Sequence, residues 1–237
     1  MERHGVVAVG DSLLTGFGPA LGGVSAQSWA AWVAWALADC TTVHAVNGAH
    51  VAQVVADQLP LLEGRYRIGL ACCGANDYAD FDPALFGSQL EQICLALRRH
   101  TDLAAVATLP LRLRVPQMSW RSTESLTRRL NTVVREVTHD CEALVVDLEP
   151  GLTGRWSMAP DGQHPSSVGQ LEAARIAAAT LDLAGLRFSR HLPDPGQIRL
   201  SEHDRRLYVR SVRDRLRGTW SSLRSYRADR AAGAGRG

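Results

Sequence analysis

The apolar residues of the chain fall into short runs, and each run is followed by a segment with a helical pattern. Five runs have the length and the β-branched content of buried strands. They cover residues 6–9, 42–46, 68–72, 103–108 and 144–147. Strands that alternate with helices in this way are typical of a parallel sheet covered by helices on both faces. We therefore predict an α/β fold with a five-stranded parallel sheet.

The first helix is predicted over residues 28–38, where large apolar residues recur at spacings of three and four. This pattern indicates a wide buried face, and core packing explains its tryptophans better than a ligand cage does. The face consists of Trp29, Trp32, Val33, Trp35, Ala36 and Leu37. Another helix is predicted over residues 122–139 on the same kind of periodicity.

Two further helices are predicted from the residues that start them. Asp82 and Pro83 have the identities of an N-cap and a first helical residue, and the helix after them is predicted to end near Arg99. Ser167 and Gln170 have the spacing of a capping box, which predicts the start of the last helix of the α/β unit.

Length and composition indicate one substantial core. The chain has 237 residues, of which 46% are hydrophobic and 21% charged. No stretch is long and apolar enough to span a bilayer, and the first strand begins too early to leave room for a secretory leader. We therefore expect a cytoplasmic location.

The five cysteines are odd in number and lack C-x-x-C spacing, so we expect buried thiols and no metal site. They are Cys40, Cys72, Cys73, Cys94 and Cys141.

The first strand ends in the sequence GDSLLTG, which raises the question of what Ser12 does. A dinucleotide loop would need a third glycine where Leu21 stands, and a P-loop would need a lysine, a residue type that this chain lacks entirely. Open α/β sheets bind ligands at the carboxyl ends of their strands, where Ser12 is expected to lie. Ser12 is therefore a candidate nucleophile.

The other strand ends supply groups that such a nucleophile needs. Gly48 follows the second strand, where a glycine leaves its N–H accessible to an anion, and Asn76 follows the third, where its amide could donate. Each of these alone is ordinary turn chemistry. After the fifth strand, Asp161 and His164 lie three positions apart on one loop, so a contact between carboxylate and imidazole can form locally.

Together, GDSLLTG, the glycine at position 48, GAND and DGQHP resemble the four sequence blocks of the SGNH hydrolases, also called GDSL esterases and lipases. The resemblance runs from about residue 6 to 185. It implies a flavodoxin-like three-layer α/β/α sandwich in which Ser12 is the nucleophile, His164 the base and Asp161 its orienting acid. It also implies an oxyanion hole formed by the N–H groups of Ser12 and Gly48 and by the Asn76 side chain.

The activity implied is hydrolysis of small-molecule carboxylic esters with small or medium acyl groups through an acyl-serine intermediate, without a metal or organic cofactor. An acyltransferase or deacetylase that acts on a sugar or small metabolite is the alternative within the enzyme class. An idle binding protein that docks a partner through its basic tail is the alternative outside it. Four further residues are candidates for the pocket: Asp11, which is expected to hold the turn, His50, Trp156 and Met158.

The chain changes character near residue 200. Residues 201–237 hold ten arginines against four acidic residues, a local charge of +6 in a chain whose net charge is +2. Apolar residues at helical spacing predict a basic amphipathic helix in this tail. The stripe consists of Val209, Val212, Leu216, Trp220, Leu223 and Tyr226. We predict a catalytic domain over residues 1–200 and a helical tail over 201–237.

Three partners suit this tail. Its apolar stripe would dock on the domain or, through residues 205–227, on a second copy of the chain. Its arginines would suit an anionic membrane surface, whereas nucleic acid is the least favoured partner.

Overall fold

The computed structural model describes residues 4–111, 113–114 and 118–217, and within them it contains one parallel sheet. The strands lie in the order β2-β1-β3-β4-β5, and every pair is parallel. They are β1 (His4–Gly10), β2 (Thr41–Val43), β3 (Tyr66–Cys72), β4 (Thr101–Ala107) and β5 (Leu144–Val146). This order is that of flavodoxin-like folds, and it confirms the predicted five-stranded sheet.

Helices cover both faces of the sheet. They are α1 (Trp29–Leu37), α2 (Val51–Gln53), α3 (Pro83–His100), α4 (Trp120–Asp140) and α5 (Ser167–Leu183). A π-helical turn, Val54–Gln58, and a 3-10 turn, Leu59–Leu61, extend α2. The helix α1 packs on α5 and α3 packs on α4. Because parallel crossovers are right-handed, these two pairs lie on opposite faces, which confirms the three-layer sandwich.

Two shorter helical pieces follow α5. Pro195–Gln197 forms a 3-10 turn, and residues 202–217 form a helix that we call the C-terminal helix. Within the described part of the chain, every helix is too short or too polar to cross a membrane.

The strand β1 lies inside the sheet between β2 and β3, and its apolar residues belong to the core of the protein. Val6, Val7 and Val9 are almost fully buried between β2 and β3. At the end of β1, a Cβ on Gly10 would lie 2.0 Å from the Cys72 carbonyl oxygen, and the φ of Gly10 is 148°. Glycine is therefore required where β1 passes β3 and delivers Ser12 to the carboxyl edge of the sheet.

The start of α5 differs from the predicted capping box. Ser166, not Ser167, is the N-cap, because its hydroxyl accepts a hydrogen bond from the Gly169 N–H. The Ser167 hydroxyl instead accepts from the Leu21 N–H at 2.9 Å. The buried Gln170 side chain likewise bonds to distant backbone. The sequence offers two adjacent serines, and tertiary contacts decide which one caps the helix.

The predicted buried face of α1 is too wide. Trp29 is buried, but Trp35 is 38% exposed and its ring packs against the Arg190 guanidinium at 5.3 Å. A single helix can bury only the side that faces its neighbours, so residues on both flanks of a broad apolar band cannot all reach the core.

The expectation of buried cysteines holds for four of them and is wrong for Cys40, which is exposed just before β2.

The C-terminal helix lies against the α/β unit through one face. Tyr208 donates a hydrogen bond from its hydroxyl to the Met158 carbonyl oxygen at 2.8 Å, and its ring meets Trp156 edge-on with centroids 5.2 Å apart. The residues of this face are the half-buried Asp204, Tyr208, Val212 and Arg215.

The predicted apolar stripe coincides with the docked face only at the half-buried Val212. Val209 is 50% exposed and Leu216 is 42% exposed, so these two residues point to solvent. The docking face instead centres on an aromatic residue with a polar end. The other members of the stripe, Trp220, Leu223 and Tyr226, lie outside the described residues.

Candidate active site

Ser12, His164 and Asp161 come together at the carboxyl edge of the sheet. Ser12 Oγ lies 3.0 Å from His164 Nε2, and His164 Nδ1 lies 2.8 Å from Asp161 Oδ2. The serine is 152 residues from the histidine in sequence, so the fold alone creates this contact. A serine, an imidazole and a carboxylate in this sequence of contacts can activate the hydroxyl as a nucleophile.

The loop that carries Asp161 and His164 is organised by the carboxylate. Asp161 Oδ1 accepts hydrogen bonds from the N–H groups of Gln163 at 2.8 Å and His164 at 3.1 Å. Partial burial opposes the charged form, but the hydrogen bonds from the His164 ring and these N–H groups outweigh it and lower the pKa of Asp161. The carboxylate is therefore ionised near neutral pH, as an acid that orients an imidazole must be.

The loop after Ser12 contributes a ring to the site. Phe17 meets the His164 imidazole edge-on, with ring centroids 4.8 Å apart. The same loop is joined to the start of α5 by a hydrogen bond from the Ser167 N–H to the Pro19 carbonyl at 3.0 Å. The two backbones also approach closely at Gly18, where a Cβ would lie 2.3 Å from the Pro165 carbonyl oxygen. The half-exposed Phe17 ring therefore packs against the imidazole from the side of this loop.

Asp11 holds the turn that presents Ser12. Its fully buried carboxylate accepts hydrogen bonds from the N–H groups of Leu13 at 2.9 Å and Ala75 at 3.2 Å, which join the ends of β1 and β3. Burial raises the pKa of Asp11 to about 7, although both hydrogen bonds favour the charged form. The expected structural role of Asp11 agrees with these contacts.

Three groups were predicted to stabilise an oxyanion, and two of them belong to residues that line one cavity with His164: Ser12 and Asn76. The Asn76 amide also donates to the Ala49 carbonyl at 3.1 Å, which leaves its second N–H for a ligand. Gly48 is not among the residues that line the cavity, but it immediately precedes Ala49 and has a φ of 79°. In the described part of the chain, the N–H groups of Ser12 and Gly48 donate to no protein acceptor.

The cavity has a volume of about 200 Å³, and several of its lining residues were not predicted from the sequence. These are Leu13, Ala75, Tyr78, Ala79, Leu113, Arg114 and Gln163. Arg114 is the one permanent charge among them. It follows β4 without any motif to mark it, so only the folded chain reveals its place.

None of the four residues predicted as pocket candidates lines this cavity. Asp11 is fully buried in the turn, and the other three lie elsewhere. His50 is about half exposed, and its Nδ1 lies 3.4 Å from Asp77 Oδ1. Trp156 lines a separate groove beside α5 and packs on Tyr208. Met158 pairs with Pro165 in a short antiparallel bridge, so its backbone supports the histidine loop. The order of residues along the chain places all three close to the motifs, but their side chains point elsewhere.

A buried glutamine that the sequence reasoning missed supports the Ser12 turn. Gln58, on the π-helical turn, accepts from the Gly10 N–H at 2.7 Å and donates to the Gly10 carbonyl at 2.9 Å. A polar residue in an otherwise mixed segment gives no local signal for such a contact.

Among the described residues, no three side chains of histidine, cysteine, aspartate or glutamate lie together as metal ligands would.

Comparison with known proteins agrees with this geometry. The family model described as "GDSL-like Lipase/Acylhydrolase family" matches residues 8–171, which is more than half of the chain. A search of curated protein sequences finds no match.

Solved structures of low sequence identity share the fold. An extracellular lipase from Streptomyces rimosus is 18% identical with a TM-score of 0.59, covering 75% of this chain and 100% of its own. A lipase/acylhydrolase from Enterococcus faecalis is 19% identical with a TM-score of 0.58, covering 81% of this chain and 100% of its own. A variant of an acetyl-xylooligosaccharide esterase from Geobacillus is 18% identical with a TM-score of 0.57, covering 81% and 99%.

Proposed function

Because the chain belongs to the GDSL-like lipase/acylhydrolase family of SGNH hydrolases, we propose that it cleaves carboxylic esters through an acyl-serine intermediate formed on Ser12. The observation that carries this proposal is the position of the His164 ring, which reaches Ser12 Oγ at 3.0 Å through one nitrogen and Asp161 at 2.8 Å through the other. A base that is within reach of the nucleophile and oriented by an acid is the arrangement that acyl transfer requires.

In the first half of the reaction, Ser12 Oγ attacks the ester carbonyl carbon while its proton passes to His164 Nε2. The carbonyl oxygen becomes an oxyanion, which the Asn76 amide and the N–H groups of Ser12 and Gly48 stabilise. When the oxyanion collapses, the bond to the alcohol oxygen breaks and His164 returns its proton to the departing alcohol. The product is an ester of Ser12, and no charge or proton is left over.

In the second half, water takes the place of the alcohol. His164 removes a proton from the water as its oxygen attacks the acyl carbon, and the second oxyanion forms at the same donors. Its collapse releases the carboxylic acid, and the proton on His164 returns to Ser12 Oγ. Asp161 stays ionised throughout and stabilises the imidazolium that forms in each half.

The size of the cavity favours small acyl groups. About 200 Å³ is less than the usual volume of pockets that hold drug-sized ligands. Leu13, Ala75 and Ala79 contribute apolar surface to the cavity. We expect acetyl and butyryl esters to be cleaved faster than esters of long-chain acids.

Hydrolysis of p-nitrophenyl acetate combined with mass spectrometry after treatment with a fluorophosphonate tests this proposal. The wild-type protein is expected to release p-nitrophenol and to gain one phosphonyl group on Ser12, whereas Ser12→Ala shows neither. Ser88→Ala is the matched control, because the Ser88 hydroxyl only bonds to the Leu85 carbonyl on exposed α3. Equal hydrolysis by purified Ser12→Ala and wild type would remove Ser12 from the mechanism.

A further inference from the structure

The proposed oxyanion donor Gly48 lies in a tight turn between β2 and α2. The Ala49 N–H donates to the Val46 carbonyl at 3.2 Å, which closes a four-residue turn around Asn47 and Gly48. Gly48 has a φ of 79°, whereas the φ of Asn47 is not positive, and this combination is typical of a type II turn. The direction of the Gly48 N–H therefore depends on the orientation of the single peptide group that joins Asn47 to Gly48.

Both ends of this turn are fixed, but its central peptide is not packed. The Val46 N–H donates to the Gly10 carbonyl at 3.1 Å, and the Ala49 carbonyl accepts from the Asn76 amide at 3.1 Å. The two central residues are exposed, and a Cβ on Gly48 would meet no atom beyond its chain neighbours within 4 Å. Because glycine tolerates the φ values of both type I and type II turns, the central peptide could rotate and reverse the direction of the Gly48 N–H.

A side chain from the loop after the candidate nucleophile reaches this turn. Thr15 Oγ1 lies 2.7 Å from Asn47 Oδ1 and 3.2 Å from the Ser12 carbonyl oxygen. A hydroxyl has one proton, which it donates to the nearer acceptor, Asn47. The Thr15 oxygen also accepts a hydrogen bond from the Phe17 N–H at 3.2 Å, so the position of the hydroxyl is set by its own loop.

The hydrogen bond between Thr15 and Asn47 joins the segments that carry two of the proposed oxyanion donors. Thr15 is three residues after Ser12, and Asn47 immediately precedes Gly48. Among the described residues, it is the one side-chain hydrogen bond between the Ser12 turn and the Gly48 turn. The side chain that it holds belongs to the residue on one side of the rotatable peptide.

We propose that Thr15 is a positioning residue, whose hydrogen bond to Asn47 holds the Asn47–Gly48 peptide in the orientation in which the Gly48 N–H stabilises the oxyanion. Thr15 does not touch the substrate in this role but changes which orientation of the peptide is populated. The net strength of one exposed hydrogen bond between neutral groups limits this effect to about tenfold. This inference rests on the proposed ester hydrolysis, because the oxyanion forms on an ester that Ser12 attacks.

A double-mutant cycle of Thr15→Val and Asn47→Ala tests the proposal. Valine keeps the size and branching of threonine and removes only the hydroxyl. Steady-state kinetics with p-nitrophenyl acetate should show kcat falling about three- to tenfold in each single variant with little change in KM, because the oxyanion exists only along the reaction. The double variant should lose no more than the single variants, because both changes remove the same hydrogen bond.

Two further variants separate the hydroxyl from a general structural role. Thr15→Ser keeps the hydroxyl and should retain most of the wild-type kcat. Thr132→Val is the matched control, because the exposed Thr132 hydroxyl donates to the Arg128 carbonyl within α4, and its kcat should equal that of wild type. Urea denaturation should give nearly the same free energy of unfolding for Thr15→Val and Thr132→Val, since both lose an exposed hydrogen bond.

A wild-type kcat in Asn47→Ala beside a loss in Thr15→Val would overturn the proposal, because Thr15 would then act through Ser12 or Phe17. Losses that multiply in the double variant would also overturn it, as would an unchanged kcat in Thr15→Val. In each of these outcomes the wild-type protein still cleaves the ester, and the proposed ester hydrolysis stands. If the wild-type protein does not cleave p-nitrophenyl acetate, the proposed function itself fails.

Discussion

The side chain of Gln58 forms two hydrogen bonds with the backbone of Gly10, one to its N–H at 2.7 Å and one from its own amide to the carbonyl at 2.9 Å. Gly10 is the last residue of β1, two positions before Ser12. Both backbone groups are buried, and Gln58 is 2% exposed. Gly10 is also paired with Cys72 of β3, so the glutamine on the π-helical turn adds to strand pairing at the point where β1 gives way to the nucleophile turn.

Replacing this glutamine should cost both stability and activity. In Gln58→Ala, the Gly10 N–H loses its buried acceptor, which costs about 1–3 kcal/mol. The Gly10 carbonyl keeps the hydrogen bond from the Val46 N–H at 3.1 Å. We expect the free energy of unfolding to fall by about 1–3 kcal/mol, measured by urea denaturation, and kcat/KM for p-nitrophenyl acetate to fall because the Ser12 turn is displaced. Gln92→Ala on the exposed side of α3 is the control, and equal effects in the two variants would contradict this role.

Asn76→Ala should lower kcat by roughly 10²–10³ with a smaller effect on KM, because a donor to an oxyanion acts mainly in the transition state. Asn76→Asp keeps the size of the side chain but removes its N–H groups, so its kcat should fall as much as that of Asn76→Ala. Steady-state kinetics with p-nitrophenyl acetate measures both. A loss confined to KM would make Asn76 a group that binds the substrate in its ground state.

The sheet and the meeting of Ser12 with His164 could be predicted from the sequence. The apolar runs are short and strongly patterned, and the carboxyl ends of parallel strands meet at one edge. Residues that follow different strands therefore converge whatever lies between them. The contact of Asp161 with His164 is easier still to predict from the sequence, because only two residues separate them on one loop.

Gln58, Phe17 and Arg114 could not be predicted, because each acts through a long-range contact that leaves no local pattern. Gln58 is 48 residues from Gly10, and the turn that carries it is π-helical, a geometry without a sequence signature. Among the described residues of the predicted apolar stripe, Val212 lies on the docked face, whereas Val209 and Leu216 are exposed for a related reason. Periodicity identified the apolar stripe. The docked face is instead centred on Tyr208, whose ring packs on Trp156 and whose hydroxyl donates to the Met158 carbonyl.

Asp11 should make the stability of the protein depend on pH. Its pKa is about 7 in the folded chain because the carboxylate is buried, whereas in the unfolded chain it loses its proton near pH 4. Its stabilising contribution is therefore complete below pH 4 and declines as the pH rises to about 7. The difference between the two pKa values corresponds to about 4 kcal/mol.

Asp11→Asn removes this titration. Urea denaturation at pH 4.5, 6 and 8 should show the variant gaining stability relative to wild type by several kcal/mol as the pH rises. Asp57→Asn, at an exposed position on the π-helical turn, is the control. Parallel pH profiles for wild type and Asp11→Asn would show that Asp11 keeps an ordinary pKa.

The docked C-terminal helix should contribute to thermal stability. Tyr208→Ala removes the hydrogen bond to Met158 and the ring contact with Trp156, a loss of about 2 kcal/mol. This corresponds to a fall in Tm of roughly 4–8 °C for a domain of this size. The fall should be the same in low and high salt, because neither contact is an ion pair. Leu207→Ala, whose side chain is 50% exposed, should melt like wild type. A tail that only binds membranes would leave both Tm values unchanged.

Water should accept the acyl group from Ser12 in preference to simple alcohols and amines. A transferase must exclude water from its acyl-enzyme, which calls for a closed and apolar site. Here the His164 side chain is 19% exposed and that of Asp161 is 39% exposed, so water has access to the base that would activate it. With p-nitrophenyl acetate and millimolar glycerol, glucose or a primary amine, chromatography should find free acetate as the main product. Transfer products in excess over acetate would instead assign the protein to the acyltransferases.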